Sequence, residues 1–425
     1  MRKLLLFFIV FISILGYSQT PDTIKITLQQ AEKQFLDSNL LLLAQRYDID
    51  EKTAYITQAR IWDLPNFTWQ QGAYQSEVKK WFVTSTTGDI SRQGEASAQI
   101  QQLIVIAGKR NKQIAMAKEN KEISLSQFYD LLRTLKYQLR SNIYNLYFSY
   151  ETLAIYNREV NMINAVIDKY EKLYADGMVS LKDVVRMKSL LLDLKTEQLE
   201  IQKTVAETQN DLKVLLKLHT QSIIYPQGSF EPDTTFAGKL NLSALVDTAL
   251  ACRPDLEAAH HLTQYSEFDL SYQKRLNIPD VQLIAGWDRT GSYINNYNYA
   301  GVAIDLPFWN RNKGNIRAAQ ARLGASKADY ENLSITIEGD GSESYRKAIA
   351  TLSAYHSFNH KFLGEFSKLM DGANDSFGKH ELSLMEFVDL YESFKDAHSE
   401  YYNLIYDCLM AKEGINYAVG KELVK

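Results

Sequence analysis

Beyond its N-terminus this chain has no apolar run of the about 18 or more residues that a membrane-spanning helix requires. Insertion into a bilayer would therefore have to use β-strands. Cysteine is nearly absent. Only Cys252 and Cys408 occur, which excludes a disulfide framework, and Cys408 falls on an apolar helical seam where an inert buried thiol is expected. Charge of one sign is lacking too: a net charge of -4 and a pI near 6.0 provide no basic field, so nucleic acid is not an expected partner. There is no G-x-S-x-G elbow, Walker loop or H-E-x-x-H helix, and Asn310-Arg-Asn-Lys-Gly314 lacks the Walker spacing. The chain is expected to be no enzyme and to carry no cofactor.

Proline and glycine are missing where they would break helices. From Gly108 to Pro226 no other proline and only one further glycine, Gly177, occur, which predicts a helical region with a single natural break. Its downstream arm spaces Val184, Met187, Leu191, Leu194, Gln198, Ile201, Val205, Thr208, Leu212 and Leu215 in alternating steps of three and four. That spacing keeps one stripe facing a partner helix, as in a coiled coil. The upstream arm has its own stripe through Leu132, Leu135, Leu139, Ile143 and Leu146, so the two arms fold back at Gly177 as a long helical hairpin.

What is present is present twice. Residues 24–66 align with 238–280 at a constant shift, Leu28 on Leu242 and Pro65 on Pro279. A second constant shift of 203 puts Tyr174 on Phe377, Ser180 on Ser383 and Leu181 on Leu384. Applied to the first nine seam residues it returns Phe387, Leu390, Phe394, Ala397, Tyr401, Leu404, Cys408, Ala411 and Ile415. A repeat near 200 residues is too long for a solenoid and implies two similar halves of one architecture.

The N-terminus reads as a secretory signal: Arg2 and Lys3, an apolar stretch from Leu4 to Leu15, then Gly16 and Ser18, with cleavage before Gln19. The expected division is a signal peptide over 1–18, a first repeat over 19–218, an equatorial linker over 219–239 and a second repeat over 240–425. In the first repeat a short helix precedes a β-hairpin at about 65–106 and long helices at about 109–217, with a tip at 175–181. In the second, the hairpin is expected at about 279–308 and the long helices at about 314–420, with a tip at 378–384. The hairpins follow Pro65 and Pro279 and have turn-like middles at Thr84 to Gly94 and Thr290 to Asn298. All five tryptophans, Trp62, Trp69, Trp81, Trp287 and Trp309, lie in or beside them, as an interfacial girdle would require; a soluble hairpin with aromatic packing is the alternative. Four strands cannot close a barrel, and an open edge in lipid strands backbone polar groups, so membrane hairpins imply pooled strands from several chains.

On the doubled order of helix, Pro-led hairpin and long helix, the tips Tyr174-Ala-Asp-Gly-Met-Val-Ser-Leu181 and Phe377-Gly-Lys-His-Glu-Leu-Ser-Leu384, and Leu306-Pro-Phe308 with the polar turn after it, the sequence resembles the TolC-like outer-membrane efflux protein family. The resemblance implies a mainly α fold with a membrane β part. Duplicated coiled-coil hairpins would form a periplasmic α-barrel, and two β-hairpins per chain would supply four strands to a trimeric, twelve-stranded outer-membrane β-barrel. It implies an exit duct in the outer membrane of a Gram-negative bacterium. Its partners would be two further copies of itself, outer-membrane lipid, a periplasmic adaptor and an inner-membrane transporter. A periplasmic coiled-coil adaptor, or a scaffold without a barrel, is the alternative class.

The family places acidic side chains just past the tip turns around the closed end of the lumen, which maps here onto Asp183, Glu386 and Asp389; the bland reading is solvated helix-face acids. The tips Gly177, Met178, Val179 and Ser180, with His380, Glu381, Leu382 and Ser383, would contact the adaptor, and His380 departs from the glycine of the first tip. Some relatives export metal ions, but the His260/His261 and His356/His360 pairs lack companion ligands, so no metal site is expected.

Overall fold

A computed structural model describes residues 22–84, 94–236, 238, 240–291, 294–308, 311–358, 361–379 and 381–424. The expected signal peptide, Tyr293, Trp309, His360 and His380 lie outside the described residues. The chain falls into two compact units, each drawing on both sequence repeats. One takes residues up to 44, 129–253 and from 336 onward; the other takes 45–128 and 254–335.

Strand β1 (Thr23–Ile26) leads into helices α1 (Leu28–Ser38) and α2 (Leu40–Arg60). Asn39 separates them, its Oδ1 accepting from the Leu41 and Leu42 N–H groups and its Nδ2 donating to the Leu215 carbonyl. It thus ends one helix and caps the next. Strands β2 (Asn66–Gln71), β3 (Tyr74–Gln75), β4 (Lys80–Trp81) and β5 (Ala96–Ile104) follow, then α3 (Lys109–Ala175), α4 (Leu181–Leu216) and β6 (Ile223–Pro226). The second repeat opens with α5 (Leu242–Cys252) and α6 (Pro254–Arg275), where Pro254 at the first helical position does the work of the Asn39 break. Strands β7 (Val281–Gly291) and β8 (Ile294–Ile304) precede α7 (Lys313–Ser357), α8 (Phe362–Gly378) and α9 (Leu384–Val419).

The four long strands form one antiparallel sheet in the order β2-β5-β7-β8. The expected turn-like stretch from Thr290 to Asn298 is instead mostly strand, because pairing continues to Thr290↔Asn295 and Gly291↔Ile294. Backbone ladders do not need apolar side chains, so the polar Asn-rich segment extends the hairpin. In the first hairpin a small β3/β4 pair, Tyr74↔Trp81 and Gln75↔Lys80, stands between β2 and β5.

The register sorts the sheet into two faces. Phe67, Ile100, Ala285 and Ala300 align across all four strands, and so do Trp69, Ala98, Trp287 and Asn298. Phe67, Trp69, Ile100, Leu283, Val302 and Ile304 are exposed in the single chain. The Trp69 and Trp287 rings stack with centroids 6.3 Å apart above the small Ala98. The other face carries Gln99, Gln101, Gln282 and Tyr299, with Gln282 Nε2 donating to Gln101 Oε1 at 3.0 Å. Tyr299 crosses above Gly286 to donate to Gln99 Oε1 at 2.9 Å, and a Cβ on Gly286 would fall 2.4 Å from its ring. Asp288 sits on this polar face. An apolar face opposite a polar one is the alternation shared by half-solvated antiparallel sheets and membrane barrels.

The strand-to-helix crossings of the two repeats are pinned together. Lys109, whose side chain is only 4% exposed, donates from Nζ to the Ile278 carbonyl at 2.6 Å and pairs with Asp280 at 2.8 Å. Asp280 also accepts the Ile106 N–H, and Arg275 donates to the Ala107 carbonyl where the chain passes through the left-handed residues Ala107 and Gly108.

In the other unit the helical seams close as their spacing requires. Val184, Met187, Leu194, Thr208, Leu212 and Leu215 are buried, and so are Phe387, Phe394, Cys408 and Ile415. Burial pushes the Cys408 thiol up to about 11, so it behaves as core. Helix α3 is 67 residues long, which at ~1.5 Å per residue gives about 100 Å. The second repeat departs from the first here, since its upstream arm is divided between α7 and α8. Parallel pairing of β1 with β6 ties the N-terminal segment to the linker, and the Gln209 amide completes the ladder through both polar groups of Ile224.

Replacing Lys109 by Met should leave Asp280 without its buried partner and cost about 3 kcal/mol. A clear fall in the thermal midpoint of the detergent-solubilised protein is expected, larger than for an exposed Lys→Met control such as Lys347. An unchanged midpoint would show that this crossing does not hold the two repeats together.

Candidate functional site

The first tip is built by a helix stop followed at once by a helix start. At the end of α3, Gly177 takes φ +75°. Its N–H donates to the Tyr174 carbonyl at 2.9 Å and the Met178 N–H to Leu173 at 2.8 Å. This pair is a Schellman closure, which requires a left-handed residue at Gly177. A Cβ there would meet nothing within 4 Å. Backbone conformation, not crowding, thus selects glycine. Ser180 then starts α4: its hydroxyl accepts the Asp183 N–H at 3.3 Å, while Asp183 Oδ2 accepts from the Ser180 hydroxyl at 2.7 Å and the Ser180 N–H at 3.3 Å. The result is a reciprocal capping box.

The second tip repeats this wiring 203 residues on. The Glu381 N–H donates to the Ser376 carbonyl at 2.9 Å, the counterpart of Met178 on Leu173. Glu386 Oε2 accepts from the Ser383 hydroxyl at 2.6 Å and N–H at 3.0 Å, and the Ser383 hydroxyl accepts the Glu386 N–H at 3.3 Å. The Ser383 hydroxyl, followed by its N–H, holds the Glu386 carboxyl below the usual range. His380, the counterpart of Gly177, lies outside the described residues. Met178, Ser180, Glu381 and Ser383 are exposed, Val179 and Leu382 half-buried. Leu181 and Met385 add exposed apolar surface beside them.

The three acids expected at a constriction do not behave alike. Asp183 and Glu386 are capping side chains, a role readable in Ser180-Leu-Lys-Asp183 and Ser383-Leu-Met-Glu386. Glu386 and Asp389 share one cleft between α4 and α9 with Arg186, Asp193 and Glu392; Asp183 is not among its lining residues. Four carboxylates there face the single guanidinium of Arg186. The repeat shift would have exposed this asymmetry, because Arg186 aligns with Asp389 and Ser189 with Glu392. Among the described residues no group of three or more His, Cys, Asp or Glu could hold a metal ion. His261 instead pairs with Glu119 at 2.8 Å, and the His260 ring lies against Tyr330.

Comparison with known proteins agrees with this geometry. Residues 32–216 match the family described as outer membrane efflux protein. The cobalt-zinc-cadmium resistance protein CzcC of Cupriavidus metallidurans is 19% identical over 402 residues, covering 93% of this chain and 90% of that protein. Among solved structures, the outer membrane protein VceC of Vibrio cholerae superposes with a TM-score of 0.69 at 15% identity, covering 93% of this chain and 97% of its own. The Campylobacter jejuni CmeC outer membrane channel gives 0.72 at 13% identity, covering 94% and 87%. The chain thus resembles the outer membrane efflux protein family in sequence over its first repeat and shares the fold of these channels along nearly its whole length.

Proposed function

We propose that this chain is the passive exit duct of a tripartite efflux or secretion assembly. It sits in the outer membrane of a Gram-negative bacterium with most of its mass in the periplasm. The observation that carries this reading is the four-stranded sheet with one largely apolar and one glutamine-rich face, whose outer strands β2 and β8 each pair on one side only among the described residues. Three chains supply twelve strands, enough to close a barrel with its polar face toward a lumen. A periplasmic adaptor would carry one helical hairpin and no such sheet; two hairpins with matched tips weigh against it. The paired tips are the surface for the adaptor, which in turn carries the inner-membrane transporter. The resistance described for CzcC makes metal cations one cargo class, which the duct would favour by charge at the Glu386/Asp389 cleft rather than by coordination.

Trimerisation is tested by mass measurement in mild detergent corrected for bound detergent. Three chains per particle are expected, and a stable monomer that keeps its strand signal would remove the shared barrel. At the cleft, Glu386→Gln combined with Asp389→Asn should lower cation selectivity and weaken block by trivalent cations in planar bilayers. Gln at the third helical position still supports the capping box, so charge alone changes. Unchanged selectivity and block would make these residues ordinary surface acids. At the tip, Gly177→Val should impair pump-dependent export while the protein stays in the outer membrane, at a strain of about 1–2 kcal/mol. Gly177→Asn, which tolerates the left-handed region, should export nearly normally. Equal export by the Val and Asn variants would count against the tip assignment.

A further inference from the structure

Beneath the tips, helices α3, α4, α8 and α9 close on a cluster that includes Tyr156, Ile163, Met187, Phe366, Phe387 and Tyr391. One carboxylate lies inside this apolar packing. Glu159 is 2% exposed, and the one polar group set against its carboxyl is the hydroxyl of Tyr391, itself 1% exposed; neither group has another hydrogen-bond partner. A buried carboxylate faced by a single hydroxyl is rare, because the ionised form loses its hydration for little in return. Neither the duct nor the tip turns require it.

Its neighbours form a charge clamp. Lys395 of α9 donates to Glu197 of α4 at 2.7 Å, and Tyr156 of α3 donates to the same Glu197 oxygen at 3.0 Å. The Lys395 side chain is 11% exposed against 44% for Glu197, so the ammonium lies on the inner side of the pair. Of the surrounding groups, Tyr391 and Lys395 from α9, Arg158 from α3 and Glu197 from α4 act on Glu159. Asp396 holds Lys395 from the other side at 3.4 Å. Helix α8 contributes Phe366, Met370 and Phe377 to the cluster, while its Glu365, Lys368, Asp371 and Asp375 are exposed.

We propose that Glu159 is a proton-operated latch in this helical bundle. With the carboxyl protonated, the four helices close over it and Lys395 clamps α9 to α4 through Glu197. With the carboxylate ionised, Lys395 is drawn toward Glu159, the Glu197 pair weakens and the α4–α9 contact loosens. No chemistry beyond the gain or loss of one proton is involved.

Burial pushes the Glu159 carboxyl up from 4.5 to about 7, so the latch works in the neutral range. A carboxyl raised on folding stabilises the closed bundle fully below its free value. That contribution is lost as the pH rises through the folded value. Between about pH 5.5 and about pH 8.5 the equilibrium for closing should weaken by up to ~30-fold.

Amide hydrogen exchange of the full-length protein in detergent, expressed as protection factors so that the intrinsic pH dependence cancels, reads this directly at residues 384–397. Protection is expected to fall as the pH rises through about 7 in the wild type, and to stay high and flat in Glu159→Gln. Glu159→Leu, which cannot ionise or hydrogen-bond, should also be flat. A wild type whose protection does not change, or a Gln variant that follows the wild type, would overturn the latch. If both variants fold poorly, the infrared band of a protonated carboxyl decides the matter. In the wild type one such band should titrate near neutral pH, and its absence would equally overturn the proposal.

Discussion

Strands β2 and β8 each present a row of backbone N–H and C=O groups along the edge that no described strand of the same chain pairs. In water those groups cost little, because solvent completes them. In hydrocarbon each would cost several kcal/mol, and a row of them is prohibitive. Everything distinctive about the sheet answers to that constraint. Strands β7 and β8 are long and matched in length, the pairing continues through polar residues to the end of the hairpin, and the tryptophans and most aliphatic side chains gather on one face. A soluble four-stranded sheet could leave its edges wet and its register loose; a sheet in lipid has neither freedom.

The helical part is governed by a different economy. Ridges of apolar side chains close the seams, and the charged residues that enter them do so in networks. Arg140 is the largest of these: although burial opposes its charge, Glu32 of α1, Glu413 of α9 and the tail residue Glu422 keep the guanidinium firmly protonated. The same tail is held by Asn416, which accepts the Leu423 and Val424 N–H groups and donates to the Val424 carbonyl. One arginine and one asparagine thus fix the chain end to helices from both repeats. These polar contacts sit within a mostly apolar packing, and that setting makes an acid such as Glu159, with only the Tyr391 hydroxyl against it, conspicuous.

Much of this was legible in the sequence because it depends on spacing. The seams follow from steps of three and four, the tip from Gly177 in a glycine-free stretch, the strands from Pro65 and Pro279 and the aromatics around them. What spacing cannot show is which side chain answers which backbone group across the chain. Asn39 reads as an ordinary surface residue until the Leu215 carbonyl is beside it. The β1/β6 pair joins segments 200 residues apart and has no local signature. Glu159 lies between Tyr156 and Ile163 on the stripe of α3, but only the arrival of α9 encloses it. Of the site residues, Asp183 and Glu386 show their capping role in the Ser-x-x-Asp and Ser-x-x-Glu boxes, while Asp193 and Glu392 enter the cleft only through the packing of α4 on α9.

The stacked pair Trp69 and Trp287 over Ala98 has a meaning for assembly. A slip of one residue between β2 and β5 would turn every side chain of one strand to the opposite face. It would set Gln99 or Ser97 opposite Trp69 and carry the small gap at Ala98 out from beneath the rings. Two indoles spanning three strands therefore act as a vernier: only one alignment lets them meet. Mispaired hairpins would show glutamines to lipid and indoles to water, and would be rejected by the bilayer before a barrel could close around the error.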